Sequence, residues 1–329
     1  VRSPSGATTL ADLQAPVLAD LEQVRSELRR LIEADFGLIA EVNTHLLQMQ
    51  GKMFRPALVL LANAATGSRN AKAVSLAAVV ELIHLATLVH DDSVDHSVLR
   101  RGMPTINALF SHQVSVIMGD YLYSRAVIEL VRQEDLLALR VLSRVTNEMT
   151  VGEMRQLLAH DPLRFSEEDY DLLIRSKTAS LMSGACEVGA LAASTAEREA
   201  MGRFGYHLGM AFQIVDDLLD FTADAEDTGK PSGLDLREHK VTLPLIHALP
   251  RMSQDQRRTV EALMTSPEPS DAEIEAVIAA VAECGGLDYA RGRAQQFMDA
   301  AEADLEQIAE GPARETLRSS LGYVLDRRR

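Results

Sequence analysis

The stretch ELIHLATLVHDDSVDHSVLRRG, residues 81–102, decides how this chain is read. An apolar helical run carries Asp91, Asp92 and Asp95 near its end, with His84 two turns upstream and Arg100 and Arg101 just downstream. Aspartates four apart share one face of an α-helix, about one turn or ~5.4 Å along its axis. Carboxylates that close on an apolar face call for a partner, and the natural one is a hard divalent cation with oxygen ligands. The pattern returns at FQIVDDLLDF, residues 212–221, with Asp216, Asp217 and Asp220. Two such clusters predict two walls of one site, gripping a ligand between them through metal.

Around the first cluster, residues 71–96 are apolar nearly all round, which predicts a buried central helix broken by Gly102-Met103-Pro104. Helical patterns follow over 105–132, 134–160, 166–193 and 196–222, the third opening on the acidic start Ser166-Glu167-Glu168-Asp169. Upstream, Leu10 to Leu31 form a one-sided stripe that Pro16 interrupts, and a second helix spans 36–49. Gly51 to Pro56 is a turn with two cations, and Pro56 suits the first turn of a helix that ends near Thr66. Downstream, residues 223–240 are a polar loop long enough to act as a lid, and four or five shorter helices complete the chain. No period-2 strand pattern stands out. The expectation is one all-α domain over 1–329, a helical bundle around a central cavity.

Composition agrees. The 329 residues are 47% hydrophobic but 4% aromatic, without Trp, so aliphatic residues and Met must build the core, which favours helix. A formal charge of −15 argues against a nucleic-acid partner. Cys186 and Cys284 have no ligand-like spacing and read as buried thiols, a usage that suits a reducing compartment. The start VRSPSGATTL lacks a basic region followed by an apolar run, so no signal peptide is expected. The apolar stretch 74–89 is interrupted by Glu81 and His84 and is expected to be too short to span a bilayer.

Mg²⁺ is usually held by one or two carboxylates plus substrate phosphates, so facing carboxylate walls predict several Mg²⁺ ions with a diphosphate between them. Lys52, Arg55, Arg100, Arg101, Lys177, Lys230 and Lys240 sit at loops or helix ends beside the apolar segments, placed to bind phosphate oxygens. His84 lies seven residues before Asp91 on the same stripe; a satisfied core histidine is the alternative to a place in the cavity.

Taken together, GKMFRP (51–56), LIHLATLVHDDSVD (82–95), RRG (100–102), GEMRQL (152–157), SKTASL (176–181), FQIVDDLLD (212–220) and GKPSGLDLREHKVTLP (229–244) resemble the trans-prenyl diphosphate synthases of the polyprenyl synthetase family. The resemblance covers nearly the whole chain, and seven motifs in order make it specific. It implies an all-α, usually homodimeric, cytoplasmic enzyme that uses Mg²⁺, three ions in the closed complex, to condense isopentenyl diphosphate onto an allylic diphosphate. By resemblance, Asp91, Asp95 and Asp216 are metal ligands, and Asp92, Asp217 and Asp220 support them directly or through water. Arg100, Lys177, Lys230 and Lys240 resemble the residues that hold the allylic diphosphate. Lys52, Arg55, His84 and Arg101 resemble the isopentenyl diphosphate pocket, and Thr178 and Gln213 lie along the reacting carbons. The chain departs from the family at Glu238-His239-Lys240, where Gly often precedes the lysine.

In that family a bulky aromatic four or five residues before the first cluster stops elongation early. Here those positions are Thr87 and Ala86, both small, with Ile83 and Val80 deeper on the same face. A product longer than fifteen carbons is expected, long-chain rather than twenty-carbon, with peripheral membrane contact left open for the longest. The alternatives are a geranylgeranyl diphosphate synthase and a non-catalytic subunit of a heteromeric synthase. A class I terpene cyclase is disfavoured, since it replaces the second aspartate cluster and needs no isopentenyl diphosphate pocket. The 223–240 loop and the Arg327–Arg329 tail are the candidates to close the site, with a frayed basic terminus as the alternative for the tail.

Overall fold

The computed structural model describes residues 8–49, 51–67, 70–158, 162–222 and 233–325. Thr9 starts α1 (Leu10–Gln14) with a capping box to Asp12, and Pro16 then tightens the chain into a 3₁₀ turn before α2 (Leu18–Ile32). Leu21, Val24, Leu28 and Leu31 are the buried stripe of α2. After α3 (Gly37–Gln48), α4 (Phe54–Ala65) carries Pro56 in its first turn, where a missing N–H costs nothing.

The central helix, α5 (Ala73–Val94), packs against α2, α4 and the later helix over His112–Arg132. It corrects one expectation: at 22 residues and a window mean hydropathy of 1.8, it is long and apolar enough to cross a membrane. Yet 61% of that window is buried inside the protein, so α5 is a core helix with neighbours on several sides.

A second correction follows directly. The residues after α5 form a small antiparallel hairpin, β1 (Leu99–Arg100) with β2 (Met103–Pro104), that no alternation announced. Arg101 and Gly102 make its turn with φ of 53° and 77°, the paired positive values that match the twist of a two-residue hairpin.

The helical run expected over 105–132 divides at Ser111, whose hydroxyl caps α7 (His112–Arg132) after the short α6 (Ile106–Leu109). Next come α8 (Leu136–Leu158) and α9 (Glu167–Ile174), the latter opened by the expected Ser166 cap, boxed with Asp169. Between α9 and α10 (Ser180–Gly189), residues Arg175–Ala179 widen into a π-turn, a form that recurs at functional sites. α11 (Thr195–Thr222) runs beside α10 and the later helix over Gly286–Leu305. Gly209 lets α11 approach the π-turn, since a Cβ there would lie 2.6 Å from Ala179 Cα.

A short α12 (Leu234–Arg237) precedes α13 (Leu243–Ala248), α14 (Gln254–Thr265), α15 (Asp271–Glu283), α16 (Gly286–Leu305) and α17 (Pro312–Leu325). One hydrophobic cluster runs from Val17 through α5 and α11 to Val324, and a satellite cluster joins Phe221, Leu236, Val260, Leu263, Ile274 and Val277. Cys186 is buried as expected, whereas Cys284, at the end of α15, is only half-buried.

Candidate active site

The two aspartate clusters converge. Asp91, near the end of α5, lines a cavity of about 680 Å³ with Ile83, Ala86, Thr87, Lys177 and Thr178. Asp95 and Asp217 line an adjoining cavity of about 470 Å³, and Lys177 and Thr178 face that one too. The π-turn that carries Lys177 and Thr178 therefore forms the partition between the two cavities.

Each cluster divides its carboxylates into two kinds. Asp92 is buried and accepts Arg100 Nε on both oxygens, at 2.7 and 2.9 Å. Asp217 is buried and accepts Tyr170 Oη at 2.6 Å and Gln213 Nε2 at 2.8 Å. Asp220 accepts the backbone N–H groups of Leu234 and Asp235, fixing the chain at the start of α12. Asp91 is half-buried, and Asp95 and Asp216 are exposed. Among the described residues, no group of three or more carboxylate, imidazole or thiol side chains is arranged to hold an ion by itself. An ion between these walls must complete its shell with ligand oxygens, as Mg²⁺ does with substrate phosphates.

Burial pushes the Asp91 carboxyl up to about 6, with Lys177 opposing and Glu153 and Asp95 adding to the rise. Burial pushes Asp217 up to about 8 against the bonds from Tyr170 and Gln213, and Asp235 up to about 6. Such a concentration of reluctant carboxylates marks a place where cations are wanted.

The hairpin sends two adjacent arginines to different places. Arg100 turns back to the first cluster, while Arg101 Nη1 donates to the Met49 carbonyl at 2.9 Å. Arg101 and Arg55 share the field of Glu81, which is buried on α5. Arg55 Nη1 lies 3.2 Å from His84 Nε2, and burial followed by Arg55 and Arg101 holds the imidazole well below its ordinary range. His84 is therefore neutral and accepts from Arg55. It lines the first cavity together with Arg55. The Lys52 carbonyl accepts Gln14 Nε2 at 2.7 Å, tying this loop to α1.

On the partition, Lys177 Nζ pairs with Glu153 at 2.7 Å and donates to Gln156 at 2.9 Å. Thr178 Oγ1 donates to Gln213 Oε1 at 2.8 Å. Lys240 lines the second cavity and pairs with Glu238 at 2.6 Å, so the Glu-His-Lys departure supplies that lysine's counter-ion. Lys230, the 223–232 part of the expected lid and the Arg327–Arg329 tail lie outside the described residues. Of the chain-length positions, Ile83, Ala86 and Thr87 line the first cavity, and Val80 is packed in the core.

Sequence reasoning missed Glu81, Glu153, Gln156, Tyr170 and Asp235. The GEMRQL motif held Glu153 and Gln156 without a role for either. Tyr170 stands seven residues before Lys177, a two-turn spacing that could have signalled it.

The polyprenyl synthetase pattern matches residues 37–281. The chain is 40% identical over 318 residues to an all-trans-nonaprenyl-diphosphate synthase (geranyl-diphosphate specific) from Rhodobacter capsulatus, covering 96% of this chain and 97% of that one. It is 38% identical over 300 residues to the octaprenyl diphosphate synthase of Escherichia coli (strain K12), covering 91% and 93%. A crystal structure of polyprenyl synthase from Caulobacter crescentus CB15, complexed with calcium and isoprenyl diphosphate, superposes with a TM-score of 0.91 at 33% identity, over 99% of this chain and 100% of that one.

Proposed function

Because this chain belongs to the polyprenyl synthetase family, we propose that its aspartate walls bind an allylic diphosphate through divalent cations and elongate it with isopentenyl diphosphate. It is a trans-prenyltransferase with a product longer than fifteen carbons. The observation that carries the reading is the shared partition: Lys177 and Thr178 face both the Asp91 cavity and the Asp95–Asp217 cavity.

The residues fit Mg²⁺. Asp91, Asp95 and Asp216 offer hard carboxylate oxygens, and the donors that Asp92, Asp217 and Asp220 accept from the protein hold the walls in place. These carboxylates would hold the divalent cations of the closed complex, three in this reading, together with the substrate diphosphate. When bound, Mg²⁺ neutralises the charge that builds on the departing diphosphate.

The remaining roles fall to the chain. Arg100, Lys177 and Lys240, with Lys230, hold the allylic diphosphate; the first three have acidic partners that keep them poised before substrate arrives. Lys52, Arg55, His84 and Arg101 form the isopentenyl diphosphate pocket, with Glu81 as the buried counter-charge of its arginines. Thr178 and Gln213 place oxygens beside the carbons that carry positive charge once the allylic bond ionises. The isopentenyl double bond attacks that cation, and the released diphosphate takes the proton. Water must be excluded, which suits a lid over the second cavity.

The whole of 1–329 acts as one domain in this reading, in the cytoplasm, where unpaired thiols such as Cys186 and Cys284 are stable. Exposed apolar side chains on α7 and α8 (Val116, Ile117, Ile128, Val131 and Leu136) support a homodimer. The relatives' names and the small residues Ala86 and Thr87 favour a long-chain product over geranylgeranyl diphosphate. Purified protein with Mg²⁺, labelled isopentenyl diphosphate and a series of allylic primers tests this, with the products sized by chromatography. Incorporation stopping at twenty carbons would replace the long-chain reading, and no incorporation with any primer would remove the synthase reading.

A further inference from the structure

α1 and α17 lie outside residues 37–281, the span that matches the polyprenyl synthetase pattern, yet they pack against each other and against α4. Their contacts meet on the turn that carries Lys52 and Arg55. Gln14 Nε2, on α1, donates to the Lys52 carbonyl at 2.7 Å, and the Tyr323 ring of α17 lies 6.0 Å from the ring of Phe54. We propose that Gln14 and Tyr323 are positioning residues for isopentenyl diphosphate: α1 and α17 clamp the 51–56 turn in the conformation that aims Lys52 and Arg55. The inference rests on the synthase reading above and names what holds one of its two substrate pockets.

The turn needs holding. Met53 adopts the left-handed region, φ 53° and ψ 31°, which a long side chain occupies only at a cost. It does so as the N-cap of α4, with no side-chain hydrogen bond to the helix end. Strained backbone of this kind persists where its surroundings over-determine it. Here the Met53 side chain is buried in the main core, and Arg101 Nη1 holds the Met49 carbonyl upstream. Gln14 holds the carbonyl of the residue directly before Met53. Phe54, directly after it, stacks on Phe212 at 5.9 Å as well as meeting Tyr323. Released from these contacts, Met53 would relax to an ordinary φ, and Lys52 and Arg55 on either side of it would change their relative direction.

The chain is arranged to place the Gln14 amide. Leu13 is buried, which seats α1, and Gln14 is the last residue of that helix. The 3₁₀ turn at Pro16 follows, so α1 packs on α4 and α17 while α2 goes on to α5 and α7. The residues assigned to the allylic diphosphate, Arg100 and Lys177 among them, sit on other elements, so loosening this clamp should affect one substrate and not the other.

The test uses the full chain with Mg²⁺, isopentenyl diphosphate and the best allylic primer. Gln14→Met keeps the length and packing of the side chain and removes the donor. The expected result is a KM for isopentenyl diphosphate raised about 3–10-fold, with kcat and the KM for the allylic primer within about twofold of the parent. Tyr323→Ala should give the same split. In both variants the amides of residues 52–55 should exchange hydrogen faster, while those of α5 exchange as in the parent.

Equal rises in both KM values, or a fall in kcat at unchanged KM, would show general loosening and overturn the clamp. Parent-like KM in either variant, or a raised KM with unchanged exchange at 52–55, would also overturn it. Lys52→Ala run alongside separates the two readings. A raised isopentenyl diphosphate KM in Lys52→Ala beside a parent-like Gln14→Met removes the clamp alone, whereas a parent-like Lys52→Ala removes the pocket assignment on which the clamp stands.

Discussion

Asp91 and Asp92 are adjacent in sequence and opposite in use. One is half-buried on a cavity wall, and the other is locked to Arg100. A DDxxD string identifies the carboxylates but not this division, because the division depends on which donors the tertiary fold brings up. Arg100 reaches Asp92 from the first strand of the hairpin, and Tyr170 reaches Asp217 across 47 residues of sequence. If the proposed metal assignment holds, turnover in Asp91→Ala or Asp216→Ala should fall about 10³-fold or more, since each removes a ligand of the cations that neutralise the departing diphosphate. The circular dichroism of both should stay that of the parent, because neither side chain is part of the apolar core. Near-normal steady-state rates in either variant would contradict the metal assignment.

At the scale of elements, helix identity was legible because apolar periodicity and caps are local: Pro16 and Ser166 both act where the sequence puts them. The hairpin and the π-turn were not, because two-residue strands carry no period and a π-turn is imposed by neighbours. Gly209 shows the imposition. Alanine normally stabilises a helix interior by about 0.5–1 kcal/mol over glycine. Gly209→Ala should instead destabilise by about 1–3 kcal/mol, because its Cβ meets Ala179 of the π-turn. Gly292→Ala on α16, where nothing lies within 4 Å, should stabilise by the ordinary amount. Thermal melts of the two should move in opposite directions; a shared direction would show that contact with the π-turn does not govern α11.

Glu129 ties three elements. On α7 itself, it pairs with Arg30 of α2 at 2.7 Å and accepts from Ser75 of α5 and from Gln133, which caps α7. Burial raises its carboxyl, but these bonds together outweigh it and hold the group below its ordinary value of 4.5. A carboxyl depressed on folding contributes stability that is present above 4.5 and lost as pH falls through the lower folded value. Denaturant melts between pH 6 and pH 3 should therefore lose stability more steeply in the parent than in Glu129→Gln, which has no such proton to take up. Parallel slopes would show that the cluster contributes nothing through ionisation.

In the proposed reading the whole molecule decides product length, because the cavity beside Asp91 is walled by several helices. Ile83, Ala86 and Thr87 of α5 could be read in advance, since they lie on the face of Asp91. The opposite wall could not. Tyr123, Ser143 and Thr146 sit on α7 and α8 in positions that resemble ordinary helix surface, yet they line the same cavity, where Tyr123 Oη lies 3.2 Å from Thr146 Oγ1. A cavity of about 680 Å³ below Asp91 leaves room that one aromatic ring on α5 would occupy. Thr87→Phe sets that ring one turn below Asp91, above the α7–α8 wall. The product should shorten, while condensation onto the shortest primer continues, because Asp91, Lys177 and the isopentenyl pocket are untouched. Chromatographic sizing of products from a short allylic primer decides it. An unchanged chain length would mean that the elongating chain leaves Asp91 by another route, and the tunnel would then have to be sought along the second cavity beside Phe165 and Ile174.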